Sequence, residues 1–336
     1  MNLKRFAQSL NLSETTVSRA LNGYPEVSER TRERVLAAAK AVGYQPSSIA
    51  RGLAVGRTNA VGMILPALHL GLGKQTFLNF LSGITRELDS RGMNFFMTPP
   101  ALANPLESYE QFVRSQRFDG IVLTHCGVQD ERIAYLAKQG MPFVAHGRSG
   151  DGSDHAWLDY DNPAGMRLAT TELLSLGHKR IAYIGDSQDL SAAAERFEAF
   201  TRCMQEAGLG TDPRMVMSKC TDHRSGYQAM QNLLHCSPRP TAVIADNHLA
   251  GAGAMRAMLD ADIAVGRDIS LIVWGDLSDY HWSMRPASIV EPRPEEAGRK
   301  IIEMLMKRID GTPASELQVL WPLELVAGDT IGQCVE

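Results

Sequence analysis

Residues 13–23 read Ser-Glu-Thr-Thr-Val-Ser-Arg-Ala-Leu-Asn-Gly. On a helix, Thr15 and Arg19 stand one turn apart, with Glu14 beside them. An arginine so placed can fork onto guanine O6 and N7, and a carboxylate can accept from cytosine N4. Thr16, Ser18 and Asn22 carry short hydroxyl or amide groups, which can bond phosphate oxygens and fix register without reading bases. Taken singly, each residue also fits a solvated helix surface capped by Ser13. As a set they describe a helix that enters a DNA major groove by its N-terminal end.

The flanking pattern supplies the scaffold for such a helix. Leu3, Phe6, Ala7 and Leu10 recur at helical spacing, and Asn11-Leu12-Ser13 makes a tight turn. Val17, Ala20 and Leu21 give the next helix its apolar face, and Gly23 can end it. Ser28 can cap a third helix, with Val35, Ala38, Ala39 and Val42 turned inward and Gly43 as the stop. Three short helices with a tight first turn spell an all-α helix-turn-helix unit. Residues 1–60 hold nine Lys/Arg against four Glu, a net +5, so the remainder of a chain with net charge −4 carries −9. A basic head on an acidic body suits a phosphate-binding module joined to something that is not one.

From about residue 60 the texture changes. Apolar runs recur at Val61–Leu65, Gly120–Thr124, Pro142–Ala145, Ala156–Leu158, Arg180–Ile184, Thr241–Ala245 and Ile269–Trp274. Between most of them lie amphipathic helical stretches, such as Phe77/Phe80/Leu81/Ile84/Leu88. This alternation predicts two parallel sheets covered on both faces, an α/β body. The runs end in polar residues: Thr124-His125, His146-Gly147-Arg148, Gly185-Asp186, Asp246-Asn247 and Gly275-Asp276. Ligands of open parallel sheets bind beyond the carboxyl ends of the strands.

Other chemistries find little support. The five cysteines are scattered and none of the nine histidines has metal-ligand spacing, so neither a metal site nor a cofactor is expected. There is no Gly-x-Ser-x-Gly elbow and no His-Glu-x-x-His, which argues against an enzyme. Gly71-x-Gly73 and Gly251-x-Gly253 are too short for a dinucleotide fingerprint and read as turn and helix-packing glycines. No apolar run reaches membrane-spanning length and no signal segment opens the sequence, so the expected location is the cytoplasm, with no membrane partner.

Leu12-Ser13-x-x-Thr16-Val17-Ser18-Arg19-Ala20-Leu21-Asn22, Val27-Ser28-x-x-Thr31-Arg32, Gly43-Tyr44-x-Pro46 and Ala50-Arg51-Gly52-Leu53 together resemble the lactose-repressor (LacI/GalR) family of bacterial transcription regulators. The likeness continues through Gly177-His178-x-x-Ile181 to Asp268-Ile269-Ser270. It implies a homodimer whose heads bind the half-sites of a near-palindromic operator. It implies a hinge helix within residues 46–57 whose Leu53 wedges into the minor groove. It also implies that residues 58–336 form a periplasmic-binding-protein-like effector and dimerisation domain of two parallel-sheet lobes. The first lobe is expected at about 58–158 and 288–314, the second at 159–287 and 315–336, with crossovers at Pro286–Val290 and Gly311-Thr312-Pro313.

The resemblance also marks an effector site. Arg196 matches the family's ligand-clamping arginine. Asp246 falls where many members have a ligand-bonding Asn, although it could instead cap the helix that follows. Members place a ligand-contacting Asp directly after an aromatic, but here Trp274 is followed by Gly275; either Asp276 reaches in one position later or that contact is absent. Trp274 can stack, and Arg148 and His69, with His125 and His146, can reach hydroxyls from the first lobe. Gly52-Leu53-Ala54-x-Gly56-Arg57 with Pro142-Phe143-Val144-x-His146-Gly147-Arg148 is similar to the α-glucoside-type regulators, which makes a small carbohydrate the expected effector. The competing readings are the same architecture answering to a nucleobase or another non-sugar metabolite as corepressor and, more remotely, a solute-binding protein or an enzyme.

Overall fold

The computed structural model describes residues 3–21, 23–44, 57–65, 75–101, 104–150, 154–275, 277 and 286–335. It divides into two compact units, Met1–Ala60 and Val61–Glu336.

The first unit is helical, as its periodicity requires. Helices α1 (Leu3–Ser9), α2 (Glu14–Leu21) and α3 (Glu29–Ala41) enclose a small core of Phe6, Ala7, Leu10, Val17, Ala20, Val27, Val35, Ala39 and Tyr44. Phe6 and Tyr44 stack with ring centroids 4.3 Å apart, which ties the end of the unit back onto α1. Asn11 takes a left-handed φ of 56° in the α1–α2 turn, where a short polar side chain tolerates it. The Ser13 hydroxyl accepts from the Thr16 N–H at 3.0 Å and so opens α2. Arg34 donates to the Leu10 carbonyl at 2.6 Å and pins α3 against that turn. The hinge expected at residues 46–57 lies outside the described residues except for Arg57.

The second unit holds two six-stranded sheets. Strands β1 (Ala60–Ile64), β2 (Asn94–Thr98), β3 (Gly120–Thr124), β4 (Phe143–His146), β5 (Trp157–Tyr160) and β11 (Gln318–Trp321) form the first, in the order β11-β5-β4-β3-β1-β2. Strands β6 (Ile181–Ile184), β7 (Val216–Met217), β8 (Ala242–Ala245), β9 (Ser270–Trp274), β10 (Ser288–Glu291) and β12 (Glu324–Val326) form the second, in the order β12-β10-β9-β8-β6-β7. The central pairings are parallel, and β12 alone among the described pairs runs antiparallel, against β10. The central strands β1, β3, β6, β8 and β9 are buried throughout, the apolar signature of sheets covered on both faces.

Three crossovers join the sheets, and two of them correct the expected lobe boundaries. The chain leaves the first sheet after β5 and enters the helix Asn162–Ser175, which packs on β8, β10 and β12. It returns after β10, not before it. Strand β10 pairs with β9, so residues 288–291 belong to the second lobe, and the crossing falls at Pro292–Pro294. Proline cannot donate to a sheet ladder, so two prolines in three residues end the strand there. The helix Pro294–Ile309 then packs on β3, β4, β5 and the helix Gln75–Ser90 of the first lobe. Those two helices meet at Gly83 and Gly298, where an added Cβ would strike the Glu295 and Phe80 carbonyls. The last crossing is not at 311–313 either, because β11 pairs with β5; it lies between Trp321 and Glu324. The expected helix-packing glycine at 253 does close on a backbone neighbour, the His223 carbonyl.

Among the described residues, no helix is long and apolar enough to cross a membrane.

Candidate functional site

In the first unit, the face of α2 is set by its buried residues. Val17 and Ala20 point into the helical core, which leaves Glu14, Thr15 and Arg19 exposed and Thr16 and Ser18 half-buried. Glu14, Thr15 and Arg19 make no side-chain hydrogen bond among the described residues, so their donors and acceptors face solvent. Thr16 is already engaged: its hydroxyl lies 2.8 Å from that of Ser13. One proton sits between the two oxygens, which leaves the other hydroxyl to donate outward. Asn22 and Leu53 lie outside the described residues.

The second unit has a cavity of about 220 Å³ where the carboxyl ends of its two sheets meet. From the first lobe it is lined by the ends of β3, β4 and β5, including Thr124, His146, Arg148, Asp159 and Tyr160. From the second lobe come Asp186 after β6, Asp246 after β8 and Trp274 at the end of β9. Strand-end placement in two facing parallel sheets gives a ligand crevice by topology alone.

Arg196 is held rigidly on the second-lobe wall. Its Nε donates to Asn162 Oδ1 at 2.9 Å and its Nη1 to the Asp246 carbonyl at 2.9 Å. Its guanidinium lies 3.8 Å from the Trp274 ring centroid, a cation–π stack on a buried indole. One face of Trp274 therefore carries Arg196 and is closed to a stacking ligand. Asp246 is fully buried, and its carboxylate accepts from the Tyr183 hydroxyl at 3.0 Å, the Asp186 N–H at 3.0 Å and Asn247 Nδ2 at 3.1 Å. Burial raises its pKa, against the pull of the nearby Arg196. The cap of the following helix, His248–Asp260, is Asn247, whose Oδ1 accepts from the Ala250 N–H at 2.9 Å. That settles the capping alternative against Asp246.

Arg148 bridges the lobes. Its Nε donates to Asp159 in its own lobe at 2.9 Å, and its Nη2 reaches Glu195 of the second lobe at 2.9 and 3.0 Å. Asn162 joins this network by donating to Asp159 at 3.3 Å, while its carbonyl accepts from Arg196. Burial raises the Glu195 pKa and Arg148 opposes it. A backbone strap runs alongside: Ser191 N donates to the Cys126 carbonyl at 3.0 Å and Val128 N to the Asp189 carbonyl at 3.1 Å. The Asp130–Arg132 pair fixes that strap. Asp130 accepts from the Gly127 N–H at 3.0 Å, and Arg132 donates to the His125 carbonyl at 2.9 Å. Burial alone would raise the Asp130 pKa, but its bonds to Arg132 hold it below the usual carboxylate value.

His146 stacks on Phe80 at 4.6 Å, and burial pushes its pKa down to about 4, so the ring is neutral near pH 7. His146 Nε2, Tyr160 Oη and Ser191 Oγ line the cavity wall, buried and without a hydrogen-bond partner among the described residues. Buried polar groups are normally satisfied, so three at one cavity mark a place built for a polar ligand. Of the six effector residues expected from sequence, Arg148, Arg196, Asp246 and Trp274 meet at this cavity; His69 and Asp276 lie outside the described residues. Sequence reasoning missed Asp159, Tyr160, Asn162, Ser191 and Glu195. Asp159 and Tyr160 end β5, and Glu195 is the neighbour of Arg196, so strand-end polarity was the signal available. Among the described residues, no cluster of three or more His, Cys, Asp or Glu could hold a metal ion.

Comparison with known proteins places this architecture. Residues 2–47 match the model for bacterial regulatory proteins of the lacI family, and residues 170–331 match that for the periplasmic binding protein-like domain. The HTH-type transcriptional regulator RafR of Escherichia coli is 35% identical over 333 residues, covering 98% of each chain. The HTH-type transcriptional regulator AglR of Rhizobium meliloti is 34% identical, covering 99% of this chain and 94% of that one. The structure of a transcriptional regulator CelR–cellobiose complex is 27% identical, covers 98% of this chain and 99% of that one, and superimposes with a TM-score of 0.75. The lac repressor dimer bound to operator and the anti-inducer ONPF shares the fold, with a TM-score of 0.86 at 22% identity over 99% of each chain. The chain belongs to the lacI family of bacterial regulatory proteins. It is a DNA-binding transcriptional regulator, with a helix-turn-helix head and a two-lobed periplasmic-binding-protein-like body.

Proposed function

We propose that this chain is a cytoplasmic, homodimeric repressor, not an enzyme, whose grip on a near-palindromic operator is set by a small carbohydrate in the inter-lobe cavity. Glu14, Thr15 and Arg19 read base edges; Thr16, Ser18 and Asn22 hold phosphates; Leu53 wedges the minor groove. Arg196, Arg148, Asp246 and Trp274, with His69 and Asp276, form the effector site, and an α-glucoside is the favoured class.

The observation that carries the reading is the cavity wall itself. It combines Arg196 on Trp274 with partnerless His146 Nε2, Tyr160 Oη and Ser191 Oγ beside apolar Phe77, Phe80 and Leu190. Sparse, fixed polar groups on an apolar wall suit a ring with many hydroxyls. A relative solved with cellobiose, a β-linked disaccharide, 27% identical over nearly the whole chain, supports a small carbohydrate as the effector class. Effector and operator then act by linkage: each changes the affinity of the other by the same factor.

A thermal-shift screen of the purified protein against mono- and disaccharides, with purines as controls, tests this directly. A stabilising sugar is the expected result, through preferential binding to the folded state. Stabilisation by a purine alone contradicts it and favours a nucleobase corepressor.

A further inference from the structure

Both arginines of the cavity are committed to protein partners. Arg148 lies between the carboxylates of Asp159 and Glu195. Arg196 bonds Asn162 and the Asp246 carbonyl and lies face-on over Trp274. Against these two cations the described residues set four carboxylates: Asp159, Asp186 and Asp246 on the wall, and Glu195 behind Arg148. The carboxylate of Asp246 is occupied by its three donors.

Asp186 is different. It is buried at the end of β6, and its Oδ1 accepts from the Ser187 N–H at 2.7 Å. Its Oδ2 accepts no hydrogen bond among the described residues, and the residue lines the cavity. The same cavity is lined by Tyr160 Oη from the first lobe and Ser191 Oγ from the second, partnerless atoms of residues 7% and 6% exposed. The cavity thus offers one charged acceptor and two hydroxyls that can donate or accept.

Building on the carbohydrate reading above, we propose that the cavity takes only the uncharged form of its sugar, and that Asp186 is the residue that sets this selection. A neutral polyol gives Asp186 Oδ2 a hydroxyl donor and completes Tyr160 and Ser191. A phosphorylated sugar or a sugar acid brings an anion to a cavity whose described residues set four carboxyl groups against two guanidinium groups. Both guanidinium groups already share their charge with protein partners, and unscreened like charge in a confined site is strongly disfavoured.

Isothermal titration of the full-length protein with matched pairs tests this: glucose against glucose 6-phosphate and glucuronate, and cellobiose and maltose against their aldonic acids. The expected result is binding by a neutral member, with its anionic partners at least a hundredfold weaker. Asp186→Asn is expected to weaken the neutral sugar at least tenfold and to narrow the gap to the anion; Asp186→Ser serves if the first variant does not fold. An anionic member that binds as tightly as its neutral partner overturns the selection. So does a folded Asp186 variant with unchanged affinity and an unchanged gap. Silence from every sugar, with binding by a purine or by nothing, counts against the carbohydrate reading, and the selection falls with it.

Discussion

The recognition helix and the cavity are both rows of polar side chains, but they are held in opposite ways. On α2, Glu14, Thr15 and Arg19 are exposed and without side-chain partners among the described residues. Their hydrogen-bonding capacity is met by water and stays available for the DNA contacts proposed for them. In the cavity, Arg196, Arg148, Asp246 and Asp159 are locked by one another and by Asn162 before any ligand arrives. A groove reader must accept many sequences weakly and one tightly, and long solvated side chains allow that. A small-molecule site gains affinity from preorganisation, because ordering its groups beforehand lowers the cost at binding. The difference teaches where mutations act: single losses on α2 change one contact, whereas losses in the cavity propagate through a network.

Arg196→Ala gives the largest expected effect. It removes two charge-assisted hydrogen bonds and the stack on Trp274, and leaves Asn162 Oδ1 without its donor. Effector affinity is expected to fall by about 2–4 kcal/mol, read by calorimetry. A variant that binds sugar as wild type does would mean that the network is not the binding element.

The pH dependence of stability sharpens the contrast. The folded pKa of His146, near 4, lies below its ordinary 6.5, so the unfolded chain takes the proton more readily. The contribution is complete above about pH 6.5 and drains away as pH falls towards 4, amounting to roughly 3 kcal/mol. Denaturant melts of wild type and His146→Gln across that window should differ in slope, the variant being flatter. Equal slopes would show that His146 is not held neutral.

On the head, Arg19→Ala is expected to cost about 1–3 kcal/mol on the specific operator and much less on random DNA. Equal losses on both would demote Arg19 to a phosphate contact. Thr16→Ala is expected to give the smallest change, about 1 kcal/mol on all DNA alike, since it loses one phosphate bond and the link to Ser13. Fluorescence anisotropy on matched and scrambled duplexes measures both.

The same contrast explains what was legible beforehand. The head is written contiguously: cap, apolar spacing and turn residues fall within about forty positions, so local rules specify it. Most central strands of the body were visible as apolar runs. Strand β2 was not, because its residues are largely exposed at a sheet edge and offer no buried run. Lobe membership was misplaced for β10 and β11, because these strands are decided by pairing partners far away in sequence, which periodicity does not encode. The cavity draws on residues from 76 to 294. Arg196 and Asp246 were found through family position. Tyr160 was signalled only by its place at the end of β5, whereas Glu195 and Asn162 owe their place to the packing of two lobes, which no local pattern announces.

Operator titration in the presence and absence of the stabilising sugar tests the central claim most directly. Wild type is expected to change its operator affinity at least fivefold when sugar is added, with a reciprocal change in sugar affinity when operator is present. Arg196→Ala is expected to bind operator normally and to ignore the sugar. Identical operator affinities with and without sugar in the wild-type protein would contradict the account.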